Sequence, residues 1–181
     1  MFEVEVKVRA DHDAVRNRLS EAGAECRGAV VQEDTYYDAP HRNFAETDEA
    51  LRIRRERAPD ADGAEADSRV TYKGPLVEEA SKTREEFETG VEDDETMAAV
   101  LDGLGFDPAA TVRKERERYA LDGYAVTLDA VDGLGEFVEV ETETDEEGVE
   151  RAREGAYDLL ERLGLDADVQ IRTSYLGFLL E

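Results

Sequence analysis

The 181-residue chain has one cysteine (Cys26), no tryptophan, two histidines and four lysines. One cysteine excludes an internal disulfide and fits a reducing cytosol. With only two histidines beside it, a zinc site has few ligands to draw on. No apolar run reaches the roughly 18 residues of a membrane-spanning helix. Residue 2 opens directly into a charged segment, so no signal peptide is expected and a cytoplasmic protein is. Cations are scarce too: 22 Lys and Arg stand against 47 Asp and Glu, a net charge of −25. Such a surface repels nucleic acid and anionic membranes, which removes both as partners. Acid-rich, lysine-poor chains look like those of salt-loving organisms. At about 1 M salt the Debye length falls to about 3 Å and self-repulsion is muted.

What remains is 40% hydrophobic, enough for one core and a single domain over 1–181. Residues 2–9 alternate without a break. Phe2, Val4, Val6 and Val8 form one face of a strand, and Glu3, Glu5, Lys7 and Arg9 the other. Asp11 is placed to cap a helix to about Ala22, with Ala14, Val15, Leu19 and Ala22 inward and Gly23 as its stop. Extended segments follow at 26–37, 50–57, 69–73 and 83–89, with a solvated loop at 58–68. A helix at 93–104 turns Met97, Val100, Leu101 and Leu104 inward. Asp122-Gly123 joins strands 110–121 and 124–131 as a hairpin, and 136–143 is another strand. Thr144 with Glu147 reads as a capping box for a helix at 145–163, and 174–180 as a short apolar helix. Strand–helix–Gly–strands occurs at 2–57 and again at 83–131, which suggests two similar halves. So many strands in one small domain favour a closed barrel, because closure removes exposed edges.

The charges follow the strands. Arg52 and Arg54 share a face, as do Arg84, Glu86 and Glu88, then Lys114 and Arg116, then Glu139 and Glu141, with Asp129 and Lys73 on neighbouring strands. These rows hold bases and acids near parity, unlike the chain as a whole. Two readings stand. The rows are solvated faces of a half-buried sheet, or the sheet is closed inside out around a wet, charged tunnel. Buried ions need mutual pairing or a ligand of matching charge. Carboxylates hold hard cations, and Lys and Arg hold phosphates, so a metal–polyphosphate ligand would satisfy both signs.

These residues resemble the CYTH family, the triphosphate tunnel metalloenzymes. The family's E-x-E-x-K stands here as Glu3-Val4-Glu5-Val6-Lys7. In the family's order follow Tyr37-Asp38, Leu51-Arg52-Ile53-Arg54, Lys73-Gly74-Pro75 and Thr83-Arg84-Glu85-Glu86-Phe87-Glu88. Then come Val112-Arg113-Lys114-Glu115-Arg116, Leu128-Asp129 and Gly135-Glu136-Phe137-Val138-Glu139-Val140-Glu141. The resemblance implies an α+β fold: a closed eight-stranded antiparallel barrel forming a tunnel, with flanking helices. It implies Mg²⁺ or Mn²⁺ and a nucleoside triphosphate or other triphosphate substrate. By position, Glu3, Glu5, Asp129, Glu139 and Glu141 look like metal ligands. Lys7, Arg52, Arg54, Lys73, Arg84, Lys114 and Arg116 look like phosphate contacts, with Glu3, Glu5, Lys7 and Arg116 as the catalytic set.

Within the family the chain looks most like the class IV adenylyl cyclases, including its Arg172-Thr173-Ser174-Tyr175-Leu176 tail. That implies conversion of ATP to cyclic AMP and pyrophosphate. The alternatives are a triphosphatase releasing orthophosphate and a non-catalytic polyphosphate-binding module. Many barrels of this kind form homodimers, but no segment of the sequence identifies an interface. Tyr36, Tyr37 and Phe2 are read as packing residues, His12 and His41 as surface groups, and Cys26 as a small packed side chain.

Overall fold

The computed structural model describes residues 1–61 and 66–181. Its strands are β1 (Phe2–Arg9), β2 (Glu25–Asp38), β3 (Ala50–Arg57), β4 (Asp67–Lys73), β5 (Lys82–Val91), β6 (Asp107–Leu121), β7 (Tyr124–Val131) and β8 (Gly135–Thr144). Its helices are α1 (His12–Glu21), α2 (Phe44–Thr47), α3 (Asp94–Gly103), α4 (Val149–Arg162) and α5 (Tyr175–Leu179). The strands close into an antiparallel barrel in the order β1-β5-β4-β3-β2-β6-β7-β8. Exchanging β1 with β5, β2 with β6, β3 with β7 and β4 with β8 leaves this ring unchanged. The two halves suggested by the sequence are therefore related by an approximate two-fold arrangement.

Closure depends on β1. It pairs with β5 on one side, Glu5 opposite Lys82, and with β8 along its whole length, Phe2 opposite Thr144 through Arg9 opposite Phe137. The largest apolar core lies outside the barrel. Val6 and Val8 of β1, Val126 and Leu128 of β7, and Val138 and Val140 of β8 meet Val15 and Leu19 of α1 and Ala156, Leu159 and Leu160 of α4. Burying one face of β1, β7 and β8 against helices fixes their register, since a one-residue slip would turn the charged row into that core. A smaller cluster joins Tyr36, Val112, Val131 and Phe137 to Tyr175, and a third sets Tyr37 and Ile53 against Leu101 of α3.

Local signals account for most boundaries. The Asp11 carboxylate accepts from the Ala14 amide at the start of α1. At its end the Ala24 amide bonds the Leu19 carbonyl and the Gly23 amide the Ser20 carbonyl, with Gly23 at φ 77°. That is a left-handed helix stop of the kind glycine favours. The β6–β7 hairpin turns on Asp122 and Gly123, both at positive φ, as a two-residue turn requires.

Five expectations are corrected. Thr144 caps nothing, because it is still paired with Phe2 in β8; Asp145 instead caps a short turn, accepting from Gly148, and α4 starts at Val149 without a side-chain cap. Val100 and Leu104 are exposed, so α3 buries a narrower stripe than expected. His12 is buried, its Nε2–H donating to the Phe137 carbonyl at 2.9 Å, because α1 packs on β8. Cys26 is exposed, near the start of β2. Arg9 lies over the Phe137 and Phe178 rings and not in the bore. The four-residue α2 was not foreseen. The loop expected at 58–68 lies partly outside the described residues.

Candidate active site

Pleating sends alternate residues of every strand inward. The barrel therefore gathers the charged rows around one cavity of about 430 Å³. Glu3, Glu5 and Lys7 enter from β1, Arg52 and Arg54 from β3, Lys73 from β4, and Arg84 from β5. Lys114 and Arg116 enter from β6, and Glu139 and Glu141 from β8. Eleven of the twelve residues singled out in the sequence thus line one space. Asp129 does not; it shares the inward face with Arg116, directly opposite it, but has no exposed surface.

Two buried ion pairs brace the wall. Arg54 grips Asp34 with two bonds of 2.7 Å, and Arg116 grips Asp129 with two of 2.6 Å. In each pair the partners sit directly opposite in register, one across β2–β3 and the other across β6–β7. The two strand pairs exchange under the two-fold arrangement. Such bidentate pairs fix a guanidinium in one orientation. Arg116 also donates to Glu139 at 2.8 Å. Burial by itself would raise the Asp34, Asp129 and Glu139 carboxyls. Arg54 and Arg52 around the first, and Arg116 and Lys114 around the other two, hold all three below the usual range. These acids are ionised and already engaged.

Another part of the wall has the opposite character. Glu3, Glu5 and Glu141 each present a carboxylate oxygen within 4.8 Å of the others. Glu5 is opposite Glu141, and Glu3 is opposite Glu143. Like charges directly across a ladder destabilise a sheet. Burial, followed by the Glu3 charge, pushes the Glu141 carboxyl up to about 8, and burial raises Glu3 despite Lys73 nearby. Of the three, Glu3 alone forms an ion pair among the described residues: Lys73 Nζ lies 2.6 Å from it and 3.2 Å from Glu86. Three carboxylate oxygen donors crowded this closely, with burial raising Glu3 and Glu141, fit a hard divalent ion. Glu3, Glu5 and Glu141 are the residues that would hold it. Glu139 and Asp129, expected as ligands, are occupied by Arg116.

The same cavity holds cations with incomplete pairing. Lys114 Nζ is 3.6 Å from Asp129, Arg52 3.7 Å from Asp34, and Lys82 3.9 Å from Asp48. Burial pulls Lys82 and Lys114 down to about 8, with Lys7 and Arg116 respectively adding repulsion. The Arg52 Nε is buried without a partner. Arg84 is held by the Asp48 carboxylate at 2.8 Å and by the Asp48 carbonyl. At one end of the cavity Arg118 and Glu56 form a pair with bonds of 3.0 and 2.8 Å, and Glu56 also accepts from Gln32.

Three site residues escaped the sequence reading. Lys82 lies two positions before Arg84 in the same inward row, a signal hidden by starting that strand one residue late. Asp34 alternates with Gln32 and Tyr36 and was legible in principle. Tyr175 enters from the C-terminal segment, and no periodicity points to it.

Residues 1–175 match the CYTH domain family. A Methanocaldococcus jannaschii protein provisionally named an adenylate cyclase is 40% identical over 178 residues, 97% of each chain. The adenylate cyclase CyaB of Aeromonas hydrophila is 30% identical over 169 residues, covering 92% of this chain and 82% of that one. A solved protein structure from Pyrococcus horikoshii superposes with a TM-score of 0.88 at 39% identity over 98% of both chains.

Proposed function

The chain belongs to the CYTH family, and on that premise we propose that it is a metal-dependent adenylyl cyclase, converting ATP to cyclic AMP and pyrophosphate. The observation that carries the reading is the carboxylate cluster of Glu3, Glu5 and Glu141 sharing one cavity with under-paired cations. Simple anion binding gains nothing from acids set opposite acids, which weighs against a non-catalytic module.

A divalent ion such as Mg²⁺ or Mn²⁺, when bound, supplies charge neutralisation and a lowered pKa for an attacking hydroxyl. The protein's own groups do the rest. Lys7, Lys82, Lys114 and Arg52 bind and orient the triphosphate. Attack of the ribose 3′-oxygen on the α-phosphorus then breaks the bond to the pyrophosphate. Negative charge grows on the leaving group, and fixed cations already in place stabilise it without reorganising. Arg116 is part of that frame: Asp129 and Glu139 occupy its Nε and Nη2, leaving Nη1 for the phosphates.

One observation favours a second reading, a triphosphatase in which water attacks the γ-phosphate. Tyr36 and Tyr37 are packed into apolar clusters, so neither is free to stack fully on a base. The test is to incubate the protein with ATP and Mn²⁺ in high salt and resolve the products. Cyclic AMP with pyrophosphate is expected. Orthophosphate without cyclic nucleotide selects the phosphohydrolase, and tight binding without turnover selects the binding module.

A further inference from the structure

We infer that Tyr175 is a positioning residue for the phosphate-binding lysines: its ring holds the Lys7 and Lys114 ammonium groups, and its hydroxyl keeps Asp129 from capturing Lys114. The inference deepens the triphosphate reading above and rests on it.

Tyr175 opens α5 and is buried against the bore, its ring edge-to-face with Phe137 at 5.0 Å between centroids. Lys7 Nζ lies 4.1 Å from the Tyr175 ring centroid and Lys114 Nζ 4.8 Å. Lys7 is buried and, among the described residues, makes no ion pair, unlike the other three lysines. Its register partner Glu139 is engaged by Arg116 instead. A buried ammonium without a carboxylate needs another stabilising partner, and an aromatic face is one. A ring contacts only one side of an ammonium, so donors remain for a ligand.

The hydroxyl has a separate effect. It donates to Asp129 Oδ2 at 2.9 Å, an oxygen that also accepts from Arg116 at 2.6 Å. Lys114 Nζ stands 3.6 Å from the same oxygen, longer than a charge-assisted hydrogen bond of about 2.7–2.9 Å. With the acceptor filled, Lys114 is not drawn into a closed salt bridge and stays available to phosphate. Without Tyr175, Lys114 collapses onto Asp129 and Lys7 loses the aromatic face that holds it. The C-terminal segment thus completes a cradle whose other parts lie on β1 and β6.

The four lysines make a direct test possible. Selective ¹³C-lysine labelling gives one side-chain set for each of Lys7, Lys73, Lys82 and Lys114. The Lys7 and Lys114 Cε protons are expected upfield in the native protein and in Tyr175→Phe, and at ordinary positions in Tyr175→Leu. Calorimetric titration with inorganic tripolyphosphate in Mg²⁺ buffer should show affinity about three-fold weaker for Tyr175→Phe. For Tyr175→Leu it should be about ten-fold weaker. A native protein that does not bind tripolyphosphate overturns the functional reading and this inference with it. Native binding together with unshifted Lys7 and Lys114 signals, or undiminished affinity in Tyr175→Leu, overturns the positioning role alone. Should the leucine variant fail to fold, the native lysine shifts and the affinity of Tyr175→Phe decide: ordinary shifts or unchanged affinity overturn it.

Discussion

Ten cationic and ten acidic side chains line the bore, whereas the rest of the chain holds 12 cations against 37 acids. The inner wall balances the two signs in total, in part through fixed pairs with buried acids such as Arg54–Asp34 and Arg116–Asp129, while Lys7, Glu5 and Glu141 form no ion pair among the described residues. On the exterior, excess acid is screened by water and counterions, and a pair such as Arg162–Asp122 is about half exposed on both sides. The same chemical groups therefore have different consequences. Inside, a paired charge is held by a buried partner, and removing one strands the other. Outside, each is screened, and neighbours are nearly interchangeable.

The sharpest way to break this contrast is at Asp129. Replacing it with alanine leaves Arg116 short of a partner, and should cost about 3–5 kcal/mol in denaturant unfolding. A loss no larger than at the surface would mean that the wall is not braced as described. Next is the unpaired acid cluster. Glu5→Gln should lower metal-dependent turnover by about 100-fold or more with the melting temperature unchanged or raised, since one like-charge contact disappears. Near-normal turnover would remove Glu5 from the site.

A third measurement concerns pH. Burial leaves Lys82 and Lys114 near 8, so both are partly neutral in the free protein at mildly alkaline pH, and binding an anion requires them to take up protons. Tripolyphosphate affinity should therefore fall as pH rises through about 8. Proton uptake should be visible as a dependence of the calorimetric heat on buffer ionisation enthalpy, and a flat profile to pH 10 would contradict the assignment. The smallest effect belongs to the exterior: Arg162→Ala should change stability by less than about 0.5 kcal/mol. Acid-rich outer surfaces should instead respond to bulk salt, with the melting temperature rising between about 0.1 and 1 M as screening tightens.

Much of this contrast was legible before any coordinates. Alternation in Phe2–Arg9 separates Val4, Val6 and Val8 from Glu3, Glu5 and Lys7; the structure buries the first set, with Val6 and Val8 under α1 and α4, and puts the second in the bore. Charge rows survive translation into structure because strand period is fixed at two. The roles of individual acids were harder. Asp129, Glu139 and Glu141 looked alike as ligands, yet Arg116 claims the first two and leaves the third in the cluster. That division depends on which residues meet across strands, and single-strand patterns do not carry it. His12 and Cys26 were misread for a related reason: burial at element ends follows from what packs over them.

By itself, the amino-acid order determined the strands, their two-faced character and the set of ionic side chains available, because these follow from local period and composition. Only the tertiary structure decided that the ionic face closes inward, that Glu5 meets Glu141 while Arg116 meets Asp129, and that Tyr175 reaches Lys7 and Lys114. Those are encounters between residues far apart in the chain, set by barrel closure and register, and register is a property of the assembled sheet rather than of any strand within it.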